Sequence, residues 1–200
     1  MQKSAKKIKK LVDRYEQVKD SGKLKSYTEE ETKKDFILPL FEALGWDVFS
    51  EEVSAEENIS GGRVDYGFYL NDRIKFYLEA KPFKADLHKE DYANQAVRYS
   101  WNKGATWAVL TDFESLKVFC AKEIDKNLSD KLFFEIRYKD YITRLDQLWW
   151  LSKESFQKDI LDNEALKVGK KLQKIAVSSI LYRDLQKCRD ILTSKLGRMN

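Results

Sequence analysis

Histidine is almost absent from this chain. A single one, His88, stands among 200 residues. That excludes an HExxH zinc motif and any His-rich metal cluster, and it leaves no Ser-His-Asp set, because His88 has no evident serine partner. His88 reads as a surface or helix-start residue. Cysteine is nearly as scarce: Cys120 and Cys188 lie far apart and form no CxxC. A disulfide framework and a cysteine zinc site are thereby excluded, and a reducing, cytoplasmic compartment is expected. No apolar run approaches the roughly 18–20 residues that span a bilayer, so no membrane partner is expected. The first twenty residues are basic without an apolar centre or a small-residue cleavage site, so a secretory signal is not expected. Gly61-Gly62 lacks the Lys-Ser/Thr of a phosphate-binding loop and reads as a turn.

Charge is plentiful and uneven. Hydrophobic residues make up 42% and charged residues 35%, with a net charge of +4. Residues 1–25 carry nine Lys/Arg against three Asp/Glu, residues 151–200 eleven against six, and the middle 17 against 24. Basic flanks around an acidic centre suit a polyanion approaching a site that holds cations. Lysine-rich helices with solvated faces produce the same asymmetry.

Ile8, Leu11, Val12, Tyr15 and Val18 recur at helical spacing, which predicts an amphipathic helix over 3–20. Thr28 with Glu31 three residues on is a capping box and starts a second helix. Pro39 lies inside that second stripe, where a kink or a helix restart is expected. "WDVFSEEVS" reads as a strand, and "NISGG" as a turn. "RVDYGFYL" and "RIKFYLEAK" follow, joined by Asn71-Asp72, the composition of a tight hairpin turn. Pro82 lacks the ladder donor and stops the second strand. A helix over about 88–101, then strands "ATWAVLTD", "SLKVFCAK" and one beginning near "DKLFFEIRY", complete the pattern. From about residue 140 the period is helical. The expected fold is α/β, a central mixed β-sheet flanked by helices, with a helical C-terminal extension. The core is expected over 1–139 and the extension over 140–200, with Trp149-Trp150 at their seam.

The segment "RIKFYLEAKPF" ends an apolar strand on Glu79 and Lys81, which share a face of the sheet because they are two apart. Asp65 is about six steps before the hairpin turn and Glu79 about seven after it, so they are close to cross-strand neighbours. Two carboxylates so placed repel unless a cation lies between them, and a hard divalent ion takes such oxygen ligands. Lys81 stands where an ammonium can orient an attacking water. A plain ion pair at a strand end is the alternative. A second acid-x-lysine, Glu31-Thr32-Lys33, lies in a polar capping segment with no strand before it.

In this order and spacing, "GRVDYGFYL" and "FYLEAK" resemble the core of the PD-(D/E)xK nuclease superfamily. More narrowly, they resemble the N-terminal cleavage domain of type IIG restriction-modification enzymes, related to the N-terminal domains of type I restriction subunits. "EETKKDFILPLFEALGWDV" resembles that family's opening helix, "NQAVRYSWNKGATWAVLTD" its Gln-x-x-x-Tyr helix and following strand, and "LWWLSKESF" its connector toward the methyltransferase. The likeness spans about residues 5–195. Val64 replaces the proline of the superfamily's name.

The resemblance implies a Mg2+-dependent DNA endonuclease, with Mn2+ able to substitute, leaving 5′-phosphate and 3′-hydroxyl ends. It implies that Asp65 and Glu79 are metal ligands, Lys81 the catalytic lysine and Glu31 the helix acid completing the site. Gln95 and Tyr99, one helical turn apart, would contact substrate. Tyr99 is equally placed to pack the helix on the sheet, whereas Gln95 is polar in an otherwise apolar stripe and fits that packing role less well. Double-stranded DNA is the implied partner. Methyltransferase and target-recognition domains are expected in the same or a partner chain, with a transient dimer on DNA. The other two readings are a nuclease module of a type I-like subunit and a non-catalytic module that docks DNA or a protein.

Overall fold

The computed structural model describes residues 1–59, 62–83, 85–122, 127–170, 183 and 185–189. The Ser60-Gly61 turn, most of the helical reading beyond Lys170, and the basic residues Lys171 and Lys174 lie outside the described residues.

Six strands form one mixed sheet in sequential order: β1 (Val53–Ile59), β2 (Gly62–Leu70), β3 (Arg73–Ala80), β4 (Trp107–Thr111), β5 (Ser115–Cys120) and β6 (Leu132–Arg137). All neighbours are antiparallel except β3 and β4, which are parallel. A parallel pair needs a crossover, and the helix Glu90–Asn102 supplies it. Helices before and after it are α1 (Gln2–Asp20), α2 (Glu29–Thr32), α3 (Leu38–Ala43), then this crossover α4, α5 (Leu128–Lys131), α6 (Leu145–Leu148), α7 (Lys153–Gln157) and α8 (Ile160–Lys167).

Alternation along the strands sends side chains to opposite layers. Phe76, Leu78, Val109 and Val118 join Ile8, Tyr15, Phe36, Leu40 and Phe41 in the main core. Ala108, Leu110 and Phe119 face Ala93, Ala96 and Val97 of α4. A side chain such as Phe76, fully buried and stacked on Phe68 with ring centroids 4.3 Å apart, contributes roughly 2–3 kcal/mol by burial.

The second helix restarts where Pro39 predicts. Pro39 has no N–H to give the carbonyl of Asp35 four residues back, and residues Lys33–Ile37 form a π turn before α3 begins. The Asp35 carbonyl takes Arg14 Nη1 instead, at 3.4 Å. The first strand begins later than "WDVFSEEVS" suggests. Asp47 Oδ1 accepts the N–H of Phe49 and its carbonyl accepts Ser50 Oγ. These local bonds hold 47–52 in turns, and Val53 opens β1. Trp46 is buried as the helix exit, donating Nε1–H to the Leu151 carbonyl at 2.9 Å.

The helical period after residue 140 is broken into short pieces. Ser152 caps α7 by accepting the Ser155 N–H, and Asp159 adopts φ 51° between α7 and α8. These pieces pack on the sheet: Phe156 stacks on Phe76 at 5.2 Å, Trp150 stacks on Phe133 at 5.6 Å, and Trp107 Nε1–H reaches Asp162 at 2.8 Å.

Candidate active site

Asn71 and Asp72 both have positive φ, 50° and 57°, the geometry that matches the twist of a two-residue hairpin. The pairing then runs Leu70↔Arg73 and Tyr69↔Ile74, slips by one residue at a bulge between Phe68 and Tyr69, and continues as Phe68↔Phe76, Gly67↔Tyr77 and Tyr66↔Leu78. The next step puts Asp65 across from Glu79. The bulge absorbs the mismatch of six residues against seven, and without it Asp65 would oppose Leu78. Asp65 Oδ2 accepts the N–H of Ala80 at 2.8 Å, which pins its carboxylate beside the end of β3.

Glu79 is 3% exposed. Its Oε1 accepts Lys81 Nζ at 2.6 Å and Gln95 Nε2 at 2.7 Å, whereas Oε2 is buried without a partner. Burial first, and then the charge of Asp65, push its pKa up to about 7, against the opposing pull of Lys81. Lys81 also lies over the Tyr92 ring, 5.0 Å from its centroid. Its own N–H donates to the Thr111 carbonyl, extending the parallel seam one step past β3. Pro82 follows and ends the strand.

The structure thus brings Asp65, Glu79, Lys81 and Gln95 together. Tyr99 packs among Val64, Tyr77 and Ala105, with the Arg98 guanidinium over its ring at 5.5 Å. Glu31 closes the capping box of its own helix. Its oxygen Oε2 accepts both the N–H and the hydroxyl of Thr28, and its N–H returns to Thr28 Oγ1. These bonds, led by the Thr28 N–H, hold its pKa below the usual range. His88 is exposed, its N–H bonded to Asp86.

Two residues that the sequence does not assign to the site join it, Glu29 at the start of α2 and Lys33 at the π turn that follows. Lys33 is 5% exposed, and its ammonium meets Asp65 Oδ1 at 2.6 Å, Glu30 at 2.8 Å and Glu29 at 3.1 Å. Burial pulls its pKa down, but these three carboxylates more than offset it and hold the lysine charged. Glu29 is the helix acid whose charge Glu79 feels. The spacings Glu29–Lys33 and Glu30–Lys33 are visible in sequence but read as ordinary surface helix pairs. Only the docking of this helical segment against the start of β2 buries the lysine.

Among the described residues no group of three or more His, Cys, Asp or Glu is arranged to hold a metal. The two carboxylates nonetheless suit a hard divalent ion, which is held by one or two carboxylates with water and phosphate completing the shell. Of their four oxygens, Glu79 Oε2 is buried without a hydrogen-bond partner.

A mixed sheet flanked by helices, with paired acids and a lysine where β2 begins and β3 ends, is a restriction-endonuclease-like architecture. Over 209 aligned residues the chain is 25% identical to the type II restriction enzyme and methyltransferase RM.Eco57I of Escherichia coli, an alignment that covers 94% of this chain and 21% of that protein. The chain is thus similar to part of a type II restriction enzyme and methyltransferase, in keeping with the likeness its motifs carry. It spans about a fifth of the length of that curated relative. Among solved structures, the type IIG restriction endonuclease BpuSI aligns with 66% of this chain and 17% of its own, at 19% identity and a TM-score of 0.47. No family model matches the chain.

Proposed function

We propose that this chain is a Mg2+-dependent DNA endonuclease domain, the cleavage part of a restriction-modification system. The observation that carries the reading is the pairing of the half-buried Asp65 with the buried Glu79, one oxygen of which has no partner, beside the Lys81 ammonium. Asp65 and Glu79 would hold the ion, which when bound supplies charge neutralisation at the phosphodiester. Lys81, braced by Glu79 and Tyr92, would orient a water and offset charge developing on phosphate oxygens. Gln95 fixes the Glu79 carboxylate from α4. Tyr99 would support that helix face. Glu31 would act on the site only through the start of α2. Double-stranded DNA would be the substrate, and methyltransferase and target-recognition domains would direct it. Cutting both strands with one such site calls for two events or a transient dimer on DNA. The test is nicking of supercoiled plasmid with Mg2+ or Mn2+. Wild type should nick, and Asp65→Ala should not. Equal rates for the two proteins sink the proposal.

A second reading has its own support. Both carboxylates already have ammonium partners, Lys33 and Lys81, as a non-catalytic DNA- or protein-docking module would. On that reading Mn2+ leaves the melting temperature unchanged and Lys81→Ala has no effect on any cleavage.

A further inference from the structure

We propose that Lys33 is an internal competitor for the cation of the Asp65–Glu79 pair, an ammonium that holds Asp65 in the metal-free protein and must leave it when a divalent ion binds. This rests on the metal-site reading above and adds to it a residue that sets the affinity. The pair offers four carboxylate oxygens. Asp65 Oδ2 is taken by the Ala80 N–H, and Glu79 Oε1 by Lys81 and Gln95. Glu79 Oε2 is open. The remaining oxygen, Asp65 Oδ1, is in contact with Lys33 Nζ at 2.6 Å. An ion bridging the two side chains through the unpartnered Glu79 Oε2 and Asp65 Oδ1 needs the place that this ammonium occupies. Coulomb repulsion between a divalent ion and an ammonium sharing one carboxylate oxygen is large at low exposure.

Lys33 also has somewhere to go. Glu29 and Glu30 lie within 3.1 Å and 2.8 Å of the same Nζ, and the Glu30 side chain is 75% exposed. Released from Asp65, the lysine keeps two carboxylate partners on its own helical turn, so no charge is stranded. It opens the π turn Lys33–Ile37, an irregularity found often at functional positions. The long, flexible lysine stem suits such a move.

The experiment is a calorimetric titration of Mn2+ into wild type, Lys33→Met and Lys33→Gln. Both variants should bind Mn2+ roughly tenfold tighter than wild type and should show a lower melting temperature without metal. Wild-type binding with equal or weaker binding by both folded variants overturns the inference and leaves the metal site standing. No binding by any of the three overturns the metal site and the inference together. A measurement on the unaltered sequence guards against misfolded variants: the 15N-lysine ammonium signal of Lys33, assigned by its loss in Lys33→Gln, should shift as Mg2+ is added. A signal that stays fixed at saturating Mg2+ counts against displacement.

Discussion

Asp112 shows how a single side chain can couple this fold to pH. It follows β4, is 4% exposed, and its Oδ1 accepts the Ser115 N–H at 2.9 Å. Burial, opposed by that hydrogen bond and aided by the charge of Glu114, raises its pKa from 3.8 to about 7. The folded state therefore holds a proton between about pH 4 and pH 7 that the unfolded chain has released. The stabilisation is complete below the unfolded value and is lost as pH rises through the folded one. Asp112→Asn keeps the acceptor and removes the titration. Chemical denaturation at pH 5 and at pH 8 should show wild type losing on the order of 3 kcal/mol more than the variant across that interval. Equal losses would refute the assignment. At the site itself, Lys81→Ala should lower the nicking rate by about 100-fold or more while leaving Mn2+ affinity within a few-fold of wild type. Plasmid nicking and calorimetry on the same preparation separate the two effects.

At the scale of elements, capping and turn chemistry were legible from local sequence. Thr28 and Glu31 form the reciprocal capping box that their spacing announces. Thr28→Ala should cost about 1 kcal/mol in thermal unfolding. The hairpin turn was equally readable, because both Asn71 and Asp72 tolerate positive φ. Glycine has no side chain to strain there, so Asp72→Gly should raise stability by a few tenths to about 1 kcal/mol. What local sequence did not carry was the outcome of competition between elements. The bulge at Phe68/Tyr69 decides that Asp65 meets Glu79, and nothing in residues 63–81 marks its position. Lys33 was hidden for the same reason: its helical pairs look solvated until the strand end arrives. Glu31 was readable twice, as a cap and as a site acid, and its hydrogen bonds are spent on the cap. The strand expected at 46–54 began late because Asp47 offered its backbone neighbours closer partners than a strand could.

On the scale of the whole molecule, the residues after 140 meet the sheet through aromatic side chains rather than a polar seam. Trp46, Phe76, Trp107 and Phe133 each contact a residue between 150 and 162. Phe156→Ala should cost about 3–5 kcal/mol, with one cooperative transition in place of two. Hydrogen exchange should find amides of 155–165 opening with those of β3 and β4, and separate opening at lower free energy would contradict that expectation. Among the described residues no helix is long and apolar enough to cross a membrane. The mixed sheet and its flanking helices followed from the order of periodicities. Of the aromatic anchoring, the sequence marks Trp150, which stacks on Phe133, but not the partners of Trp46 and Phe76, since an apolar helix face does not name what it covers.

The lone parallel pairing has a kinetic consequence. β1–β2–β3 and β4–β5–β6 are each runs of sequence-local antiparallel pairs, which close with little loop entropy. Joining them through β3 and β4 must wait for α4 to lie across the sheet. Glu79 and Lys81 sit on that join, Asp65 in the first half and Gln95 on the crossing helix. On this order of association the candidate site is assembled last. Val109→Ala, at the join, should mainly speed unfolding, whereas Phe68→Ala, inside the first half, should slow refolding.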